Sequence, residues 1–502
     1  MLERRLQNRV CQLQLVTRPD GTGDGGPDRA TGAPGVVHDI SAMFRSPGGI
    51  AMDRTTEMLS AFVCDLNYHD LTPQTVHQVK RVLVDTLACA MGGYLSEPAK
   101  IARQLASTVK NDGEHGSRIL GTRDSSSPEL AGFANSVMVR YLDYNDMSVG
   151  GHPSDSIPGP LAVAYPRGSD GRAVITSIVV NYEVARQVGS HVQQTYQRGW
   201  DHGILRALGA ACATGKIMGL DRARMGHAIS LAVVPNLALG QTRVGELSMW
   251  KGMAGPHGTK AGIFAAQLAE CGVTGPFEPF DGSEGLWAKM LGHPVQWEEE
   301  GWGEPYSIND TRFKFFPSQG GTQGPTGLAV ELHSQVSPEA IAAIHLELPD
   351  GLFLRAVHEP EKWNPQTRET ADHSIPYLVA VALHDGVVTP ASFNPQRIHD
   401  PALRSLISKM TIDPNPEFSR RYPDEINCRL EVTTGSGRKQ VAQCVSPKGF
   451  PQNPMSDADV EGKFRSCCAE LLTAQQCDRA LELLWSLEDQ PNLKELFDNL
   501  VV

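Results

Sequence analysis

A succession of helical segments rich in alanine and glycine constrains the fold of this chain most strongly. Residues 204–218 form one segment and end at Gly219. Residues 222–234 form the next, with Asp221 as N-cap, and residues 259–270 repeat the pattern. Small side chains allow neighbouring helices to approach closely. The sequence therefore predicts a large all-helical domain built from such helices.

Two more helices are expected upstream of these segments. Thr72 and Pro73 are typical of an N-cap and a first helical residue, and the helix that they begin runs to Gly93. Residues 173–188 have the apolar spacing of a further helix.

The pattern changes after about residue 310. Residues 342–348 alternate between apolar and polar side chains, as a half-buried strand does. Residues 428–432 and 439–445 flank Thr-Thr-Gly-Ser-Gly and predict a hairpin. Helices are expected between these strands, over residues 377–383 and 402–409. This part of the chain is therefore predicted to be α+β.

The predicted fold is mainly α, with a smaller α+β domain inserted into the helical one. Its expected parts are a disordered N-terminal extension at 1–51, a helical domain at 52–310, an α+β domain at 311–451 and a C-terminal return to the helical domain at 452–502. The extension is rich in arginine, glycine and proline and cannot bury a core. Two interpretations of it stay open: a mitochondrial transit peptide, or an extension upstream of a start at Met52.

Composition excludes several classes of function. The 502 residues carry a net charge of -12, which disfavours general binding to nucleic acid or to an anionic membrane. No apolar run reaches the roughly 18 residues that span a bilayer. The ten cysteines have no CxxC or zinc spacing, so no metal site and a reduced compartment are expected. That compartment is the cytoplasm, or the mitochondrial matrix if the N-terminus is a transit peptide.

One stretch, residues 141–155, concentrates polar side chains around a Gly-Gly pair. Asp143 and Asp146 are three residues apart and are predicted to share a face at the C-terminal end of a helix. His152 precedes Pro153 and is expected to be extended, with Ser154 directly after it. On spacing alone, a polar helix end and a catalytic corner are equally good interpretations.

Four other stretches carry candidate functional groups. They are Trp200-Asp-His202, residues 241–252 with Arg243 and Lys251, Phe313-Lys314-Phe-Phe-Pro317, and residues 369–377 with Asp372 and His373. Taken singly, a capping histidine, a snorkelling lysine or a solvated loop explains each one. Taken together, two lysines, two histidines and an arginine near carboxylates suit a small polyanionic substrate.

These motifs, in this order, resemble the MmgE/PrpD family. The resemblance rests on Leu142-Asp-Tyr-Asn-Asp146 with His152-Pro-Ser-Asp155, Trp200-Asp-His202, Gly245-Glu-Leu-Ser-Met-Trp-Lys251-Gly, Lys314-Phe-Phe-Pro317 and Asn453-Pro-Met455 with Lys463-Phe464. It covers residue 52 to the end. It implies a large helical domain, a smaller α+β lid, a homodimer, an active site between the domains and catalysis without metal or organic cofactor.

The resemblance also implies which residues form the site. The catalytic residues are expected to be Asp143, His152, His202 and Lys251, and the substrate-binding residues Lys314, Arg243, Asp146 and Ser154. The chain departs from the family in three places: Met147 replaces a frequent threonine, Gly321 stands near a position that is often histidine, and Phe353 stands where decarboxylases carry tyrosine.

The expected reaction is the dehydration of a small 2-hydroxy-tricarboxylate, such as 2-methylcitrate, to an alkene acid. Lys251 and Lys314 would polarise carboxylates, with Arg243 as a third cation. His152 would transfer a proton and be oriented by Asp143. Two alternatives stay open. One is a decarboxylase or epimerase acting on a related acid, and the other is a dimeric binding protein that has lost catalysis.

Overall fold

Most of the chain is helical in the computed structural model, which describes residues 51–111, 116–297 and 302–502. The fold is mainly α, as predicted. The predicted N-terminal extension lies outside the described residues except for Ala51. None of the helices in the described part of the chain has the length and hydrophobicity that a bilayer span requires.

The first part of the chain supplies ten helices and one small hairpin among the described residues. The helices are α1 (Arg54–Asp65), α2 (Pro73–Gly93), α3 (Glu97–Ala106), α4 (Pro128–Tyr141), α5 (Pro158–Arg167), α6 (Gly171–Val192), α7 (Gly203–Met218), α8 (Arg222–Val233), α9 (Ala254–Glu270) and α10 (Leu286–Met290). The antiparallel strands β1 (Ser117–Arg118) and β2 (Ser125–Ser126) lie between α3 and α4.

Capping residues explain where several of these helices begin and end. Thr72 accepts a hydrogen bond from the backbone N–H of Thr75 and Pro73 opens α2, as predicted. Asp221 caps α8 in the same way, and α7 ends at Gly219, whose φ is 69°. The predicted start of α9 is wrong, because α9 begins at Ala254, five residues before residue 259.

Small residues allow α7 and α9 to approach closely. A Cβ atom added to Gly262 would lie 2.3 Å from the carbonyl oxygen of Ala207 and 2.7 Å from Cβ of Ala210. A Cβ added to Gly258 would lie 2.7 Å from the carbonyl oxygen of Gly203. The alanine- and glycine-rich sequence is therefore required by the packing of these two helices.

The second part of the chain holds a four-stranded sheet. Its strands are β3 (Ile341–Leu348), β4 (Met410–Pro414), β5 (Cys428–Thr434) and β6 (Lys439–Cys444), in the order β4-β3-β5-β6. β3 pairs parallel to β4 and antiparallel to β5, and β5 and β6 form the predicted hairpin.

Helices surround this sheet and close the chain. They are α11 (Gln323–His333), α12 (Asp350–Val357), α13 (Pro360–Trp363), α14 (Arg368–Ala371), α15 (Ile375–Asp385), α16 (Pro395–Ile398), α17 (Pro401–Ile407), α18 (Pro416–Arg421), α19 (Asp457–Cys468), α20 (Ala474–Trp485) and α21 (Lys494–Asn499).

Buried apolar side chains form two main clusters. The first, here called the helical core, draws on residues 59–313 and 455–500. The second, the sheet core, draws on residues 316–450. Both lie within one compact unit, residues 50–502. The predicted domain boundaries and the movement that the word lid implies stay predictions.

Substitution of Gly262 tests the α7–α9 contact. We expect Gly262→Ala to lower the free energy of unfolding by about 1–3 kcal/mol, because the new methyl group has no space against the α7 backbone. Gly462 is the matched control: it is helical, and a Cβ there meets nothing within 4 Å. Gly462→Ala should raise stability by about 0.5–1 kcal/mol. Equal effects of the two substitutions in urea unfolding would contradict the packing argument.

Candidate active site

The segment between α4 and α5 carries most of the predicted site residues. α4 ends at Tyr141, and Asp143 follows with a left-handed backbone, φ 49°. Because the helix has ended, the prediction that Asp143 and Asp146 share a helical face is wrong. A left-handed conformation is uncommon for a residue with a side chain, so the surroundings must hold Asp143 in place.

Three cations surround Asp143. Its Oδ1 accepts hydrogen bonds from Arg140 Nη1 at 2.6 Å and from Lys314 Nζ at 2.5 Å. Its Oδ2 lies 3.2 Å from Lys251 Nζ. Lys314 Nζ also donates to the backbone carbonyl of Asp143 at 2.7 Å, which fixes the left-handed turn. All four side chains are buried, and only such pairing allows charges to remain in the interior.

The pKa values around Asp143 reflect this pairing. Burial alone would raise the pKa of Asp143, but Arg140, Lys314 and Lys251 hold it well below its usual range. Burial lowers the pKa of Lys314 to about 8, although Asp143 opposes that shift. At neutral pH the cluster is therefore a carboxylate among ammonium and guanidinium groups.

A second carboxylate joins the cluster from the loop between α14 and α15. Lys251 Nζ donates to both oxygens of Asp372, at 2.8 and 2.9 Å. His373 places Nδ1 2.6 Å from Asp372 Oδ1 and Nε2 3.6 Å from Asp143 Oδ2. Lys251 thus lies between two carboxylates, one from each side of the site.

Asp143, Asp372 and His373 are the one group of carboxylate and imidazole ligands in the described residues whose donor atoms lie close enough to hold a metal ion, within 4.8 Å of one another. The contacts do not fit a metal. The ammonium of Lys251 already pairs with both carboxylates, and Lys314 and Arg140 add positive charge beside them. A divalent cation would be repelled by these groups.

His152 lies on the other side of the segment. Its Nδ1 is 2.6 Å from the carbonyl oxygen of Asp146. A carbonyl oxygen only accepts hydrogen bonds, so in the neutral ring Nδ1 carries the proton and Nε2 carries the lone pair. The carboxylate of Asp146 accepts hydrogen bonds from Ser154 Oγ and the hydroxyl of Tyr182. His152 is therefore oriented by the backbone of Asp146 rather than by the carboxylate of Asp143.

His202 lies beside His152, with 5.6 Å between the ring centroids. Its neighbour Asp201 pairs with Arg243, whose Nε lies 2.5 Å from Asp201 Oδ2. The predicted substrate-binding cation Arg243 is thus already paired with a carboxylate. Gly151 allows His202 to approach, because a Cβ there would lie 2.8 Å from Cγ of His202.

Both of these histidines are expected to be neutral. Burial lowers the pKa of His152 well below its usual range, and Arg140 and Lys314 lower it further. Burial lowers the pKa of His202 to about 3, against the opposing charge of Asp201. The two histidines therefore lie within the field of the cations that hold Asp143.

Buried polar contacts connect the two sides of the site. Arg140 Nε lies 3.6 Å from Asp155 Oδ2. Asn145 Nδ2 donates to Asp155 Oδ1 at 2.9 Å and to Ser154 Oγ at 2.7 Å, and Ser154 reaches Asp146. Since the carbonyl of Asp146 holds His152, one network joins the Asp143 cluster to the histidine pair.

Lys463 and Gln323 hold the backbone around Lys314 through hydrogen bonds. Lys463 Nζ pairs with Asp85 at 2.6 Å and donates to the carbonyl oxygens of Tyr144 and Lys314. Gln323 accepts from the backbone N–H groups of Phe315 and Phe316 and donates to Phe316 and Ser318. The backbone around Lys314 is therefore fixed at several points.

Met147 pairs its backbone with Arg312, two residues before Lys314. Its side chain covers Gly320, where an added Cβ would lie 2.1 Å from Met147 Sδ. An added Cβ at the next residue, Gly321, would lie 2.9 Å from Leu352 Cδ2. Two of the departures from the family pattern, at 147 and near 321, thus lie next to each other.

The structure brings most of the predicted site residues together. Asp143, Lys251 and Lys314 form one cluster, and Asp146, His152, Ser154 and His202 lie in the second part of the network. Sequence reasoning gave no role to Arg140, Asp155, Asp372, His373 or Lys463. Asp372 and His373 were visible as a polar pair, whereas Arg140 looked like an ordinary helix residue.

Asp146→Asn tests the buried carboxyl group. Burial raises the pKa of Asp146 to about 6, so the folded chain binds its proton more tightly than the unfolded chain does. The stabilisation from that proton is present at low pH and is lost as the pH rises through about 6. We expect the Tm of the wild-type protein to fall relative to that of the variant between pH ~4.5 and ~7.5.

The control for this measurement is Asp310→Asn, because the side chain of Asp310 is 73% exposed. Its Tm difference from the wild-type protein should stay constant over the same pH range. A constant difference for Asp146→Asn as well would contradict the raised pKa.

Comparisons with known proteins match both parts of the chain. The MmgE/PrpD N-terminal domain matches residues 57–298 and the MmgE/PrpD C-terminal domain matches residues 316–489. Cis-aconitate decarboxylase from Homo sapiens is 24% identical over 453 residues, which are 86% of this chain and 92% of that protein. The 2-methylcitrate dehydratase of Cupriavidus necator is 27% identical over 391 residues, 71% of this chain and 78% of that protein. The two matched domains cover most of the chain, and it belongs to the MmgE/PrpD family.

Proposed function

We propose that this protein is a cofactor-independent lyase that removes water from a small 2-hydroxy-tricarboxylate, with 2-methylcitrate to 2-methyl-aconitate as the reaction. The observation that carries the proposal is the cluster around Asp143. Its ion pairs join four cations to three carboxylates, so the cluster has positive charge in excess: Arg140, Lys251, Lys314 and Arg368 against Asp143, Asp155 and Asp372. Relatives that share 26–27% of their residues with this chain are named 2-methylcitrate dehydratases.

The chemistry explains why such a cluster is useful. Dehydration removes a proton from carbon next to a carboxylate, and that carboxylate gains negative charge in the transition state. Preorganised cations in a dry site stabilise this charge more than water does. Lys251 and Lys314 are held in place by Asp143, so little reorganisation is needed when the charge develops.

His152 and His202 donate a proton to the leaving hydroxyl group. A bound tricarboxylate offsets the positive field of Arg140 and Lys314, which raises the pKa of His152 and lets the pair take up a proton. His152, with Nδ1 held by the carbonyl of Asp146, then presents Nε2–H to the hydroxyl. His202 lies next to it and either assists this transfer or binds a carboxylate.

A decarboxylase or epimerase of a related acid is the second candidate. It is favoured by the relatives named cis-aconitate decarboxylase, two of which match 86% of this chain. Both reactions also pass through carbanion-like states, so the same cations would stabilise them. A catalytically impaired binding protein is the third candidate, and Met147 is the feature that favours it.

The assembly and compartment are part of the same proposal. A homodimer is proposed from the family resemblance. The cytoplasm is the proposed location. The mitochondrial matrix is the alternative, because the N-terminus is rich in arginine and the related 2-methylcitrate dehydratase of Yarrowia lipolytica is named mitochondrial.

A substrate panel separates these candidates. Purified protein, treated with chelator, is incubated with citrate, 2-methylcitrate and cis-aconitate, and the products are identified by mass spectrometry. Loss of water with a new alkene absorbance supports dehydration, and release of carbon dioxide supports decarboxylation. Binding without turnover of any acid supports the third candidate.

His152→Ala should lower turnover by about 10²–10⁴-fold, the usual contribution of general acid–base catalysis. Substrate binding should change less, because the cations that bind carboxylates are untouched. The comparison is with His77→Ala, since His77 is 46% exposed and pairs with Asp457 at the surface. Turnover within a few-fold of wild type in folded His152→Ala would remove this residue from the mechanism.

A further inference from the structure

His373 is the most exposed side chain of the cluster around Asp143. Its side chain is 14% exposed, whereas those of Lys314, Lys251, Asp143 and Asp372 are 0, 3, 1 and 0% exposed. Of these five groups, the imidazole of His373 is therefore the one that solvent reaches most. Lys251 and Lys314 are more deeply buried and would act on a bound substrate through their charge.

The contacts of His373 fix its tautomer. An ionised carboxylate only accepts hydrogen bonds, so the 2.6 Å contact with Asp372 Oδ1 places the proton on Nδ1. Nε2 then carries the lone pair of the neutral ring. This is the Asp–His arrangement in which a carboxylate orients an imidazole and stabilises the imidazolium that forms.

A second carboxylate oxygen lies within reach of Nε2. Asp143 Oδ2 is buried and accepts no hydrogen bond from any residue that the structure describes, although Lys251 is 3.2 Å away. It lies 3.6 Å from His373 Nε2. The negative charge of Asp143 therefore acts on His373 and favours its protonated form.

His152 lacks both features. Its Nδ1 contacts a neutral carbonyl oxygen, and the charges that act on it most strongly are those of Arg140 and Lys314. Its imidazolium is therefore destabilised unless an anion is bound. Burial, together with Lys251, lowers the pKa of His373 to about 4, so its ring is unprotonated at neutral pH, whereas the carboxylates of Asp372 and Asp143 act in the opposite direction and stabilise its imidazolium.

We propose that His373 is the base that takes the proton from the substrate carbon, with Asp372 fixing its tautomer and the negative charge of Asp143 stabilising the imidazolium that forms. This inference rests on the proposed dehydration. It assigns the two proton transfers to opposite sides of the site: His373 acts on the carbon and the His152–His202 pair acts on the hydroxyl group.

The step balances as follows. The C–H bond breaks, its proton forms the N–H bond at His373 Nε2, and its electron pair becomes the second bond of the alkene. The C–O bond breaks with its electrons on oxygen, and the hydroxyl takes a proton from the His152–His202 pair and leaves as water. His373 then releases its proton to solvent, and the pair takes one up.

Exchange of the carbon-bound proton in deuterium oxide tests this assignment. Recovered 2-methylcitrate is analysed for deuterium and turnover is followed by alkene absorbance. His373→Gln should lose both exchange and turnover by about 10²–10⁴-fold with little change in KM. His152→Gln should lose turnover but keep exchange, because the carbon can still be deprotonated and reprotonated.

His345→Gln is the matched control. His345 also pairs with an aspartate, Asp413, at 2.9 Å, but on the exposed face of the sheet. This variant should behave as wild type. His373→Gly with added imidazole guards against loss of folding, because only folded protein can regain turnover when imidazole occupies the vacated space.

Exchange and turnover at the wild-type level in His373→Gln would overturn the role of His373 alone. So would a failure of imidazole to restore turnover in His373→Gly that is folded and has the Tm of the wild-type protein. If the wild-type protein exchanges and dehydrates none of the acids, both this inference and the proposed function are wrong.

Discussion

The buried carboxylate of Asp143 determines how the rest of the site is arranged. A lone carboxylate in this position would be costly, and the three cations that compensate it come from α4, from the loop before α9 and from the segment before α11. The same contacts hold the left-handed backbone at Asp143, since Lys314 binds both its carbonyl and its carboxylate. The side chain of Asp143 therefore fixes the end of α4, the loop before α9 and the segment before α11, together with the cation that each one carries. Replacing any one of these cations would leave a charge without its partner in the interior.

This arrangement also joins the two hydrophobic cores. Asp143 and Lys251 belong to segments that pack in the helical core, whereas Asp372 directly follows Ala371, a residue of the sheet core. The ion pair between Lys251 and Asp372 thus crosses from one core to the other. Relative movement of the two cores would separate these charges and would also take His373 away from Asp143. The catalytic arrangement proposed here consequently exists only while the cores are in contact, which gives binding of an anionic substrate a physical means of favouring that state.

Local rules in the sequence predicted the elements better than the site. Thr72, Asp221 and Gly219 act through contacts within one turn, so their roles could be inferred without tertiary information. The hairpin of β5 and β6 followed from alternation around a glycine-containing turn. The end of α4 was misjudged because a left-handed aspartate is stabilised by Lys314, 171 residues away. His373 was singled out in the sequence but given no role for the same reason: its contact with Asp143 depends on the meeting of two cores, which no spacing in the sequence encodes.

Met147 and Gly320 share one space, and this bears on the choice of substrate. Met147 is partly exposed and follows Asp146, whose carbonyl holds His152. Gly320 follows Gln319, whose backbone N–H donates to the carbonyl of Asp372. The thioether of Met147 therefore lies between the segments that carry His152 and His373, the two histidines to which the proposal assigns proton transfer. A thioether offers no hydrogen-bond donor, so a carboxylate or hydroxyl that reached it would lose its partners in water without replacing them. A methyl branch has no such cost, which agrees with the methylated tricarboxylate of the proposed function.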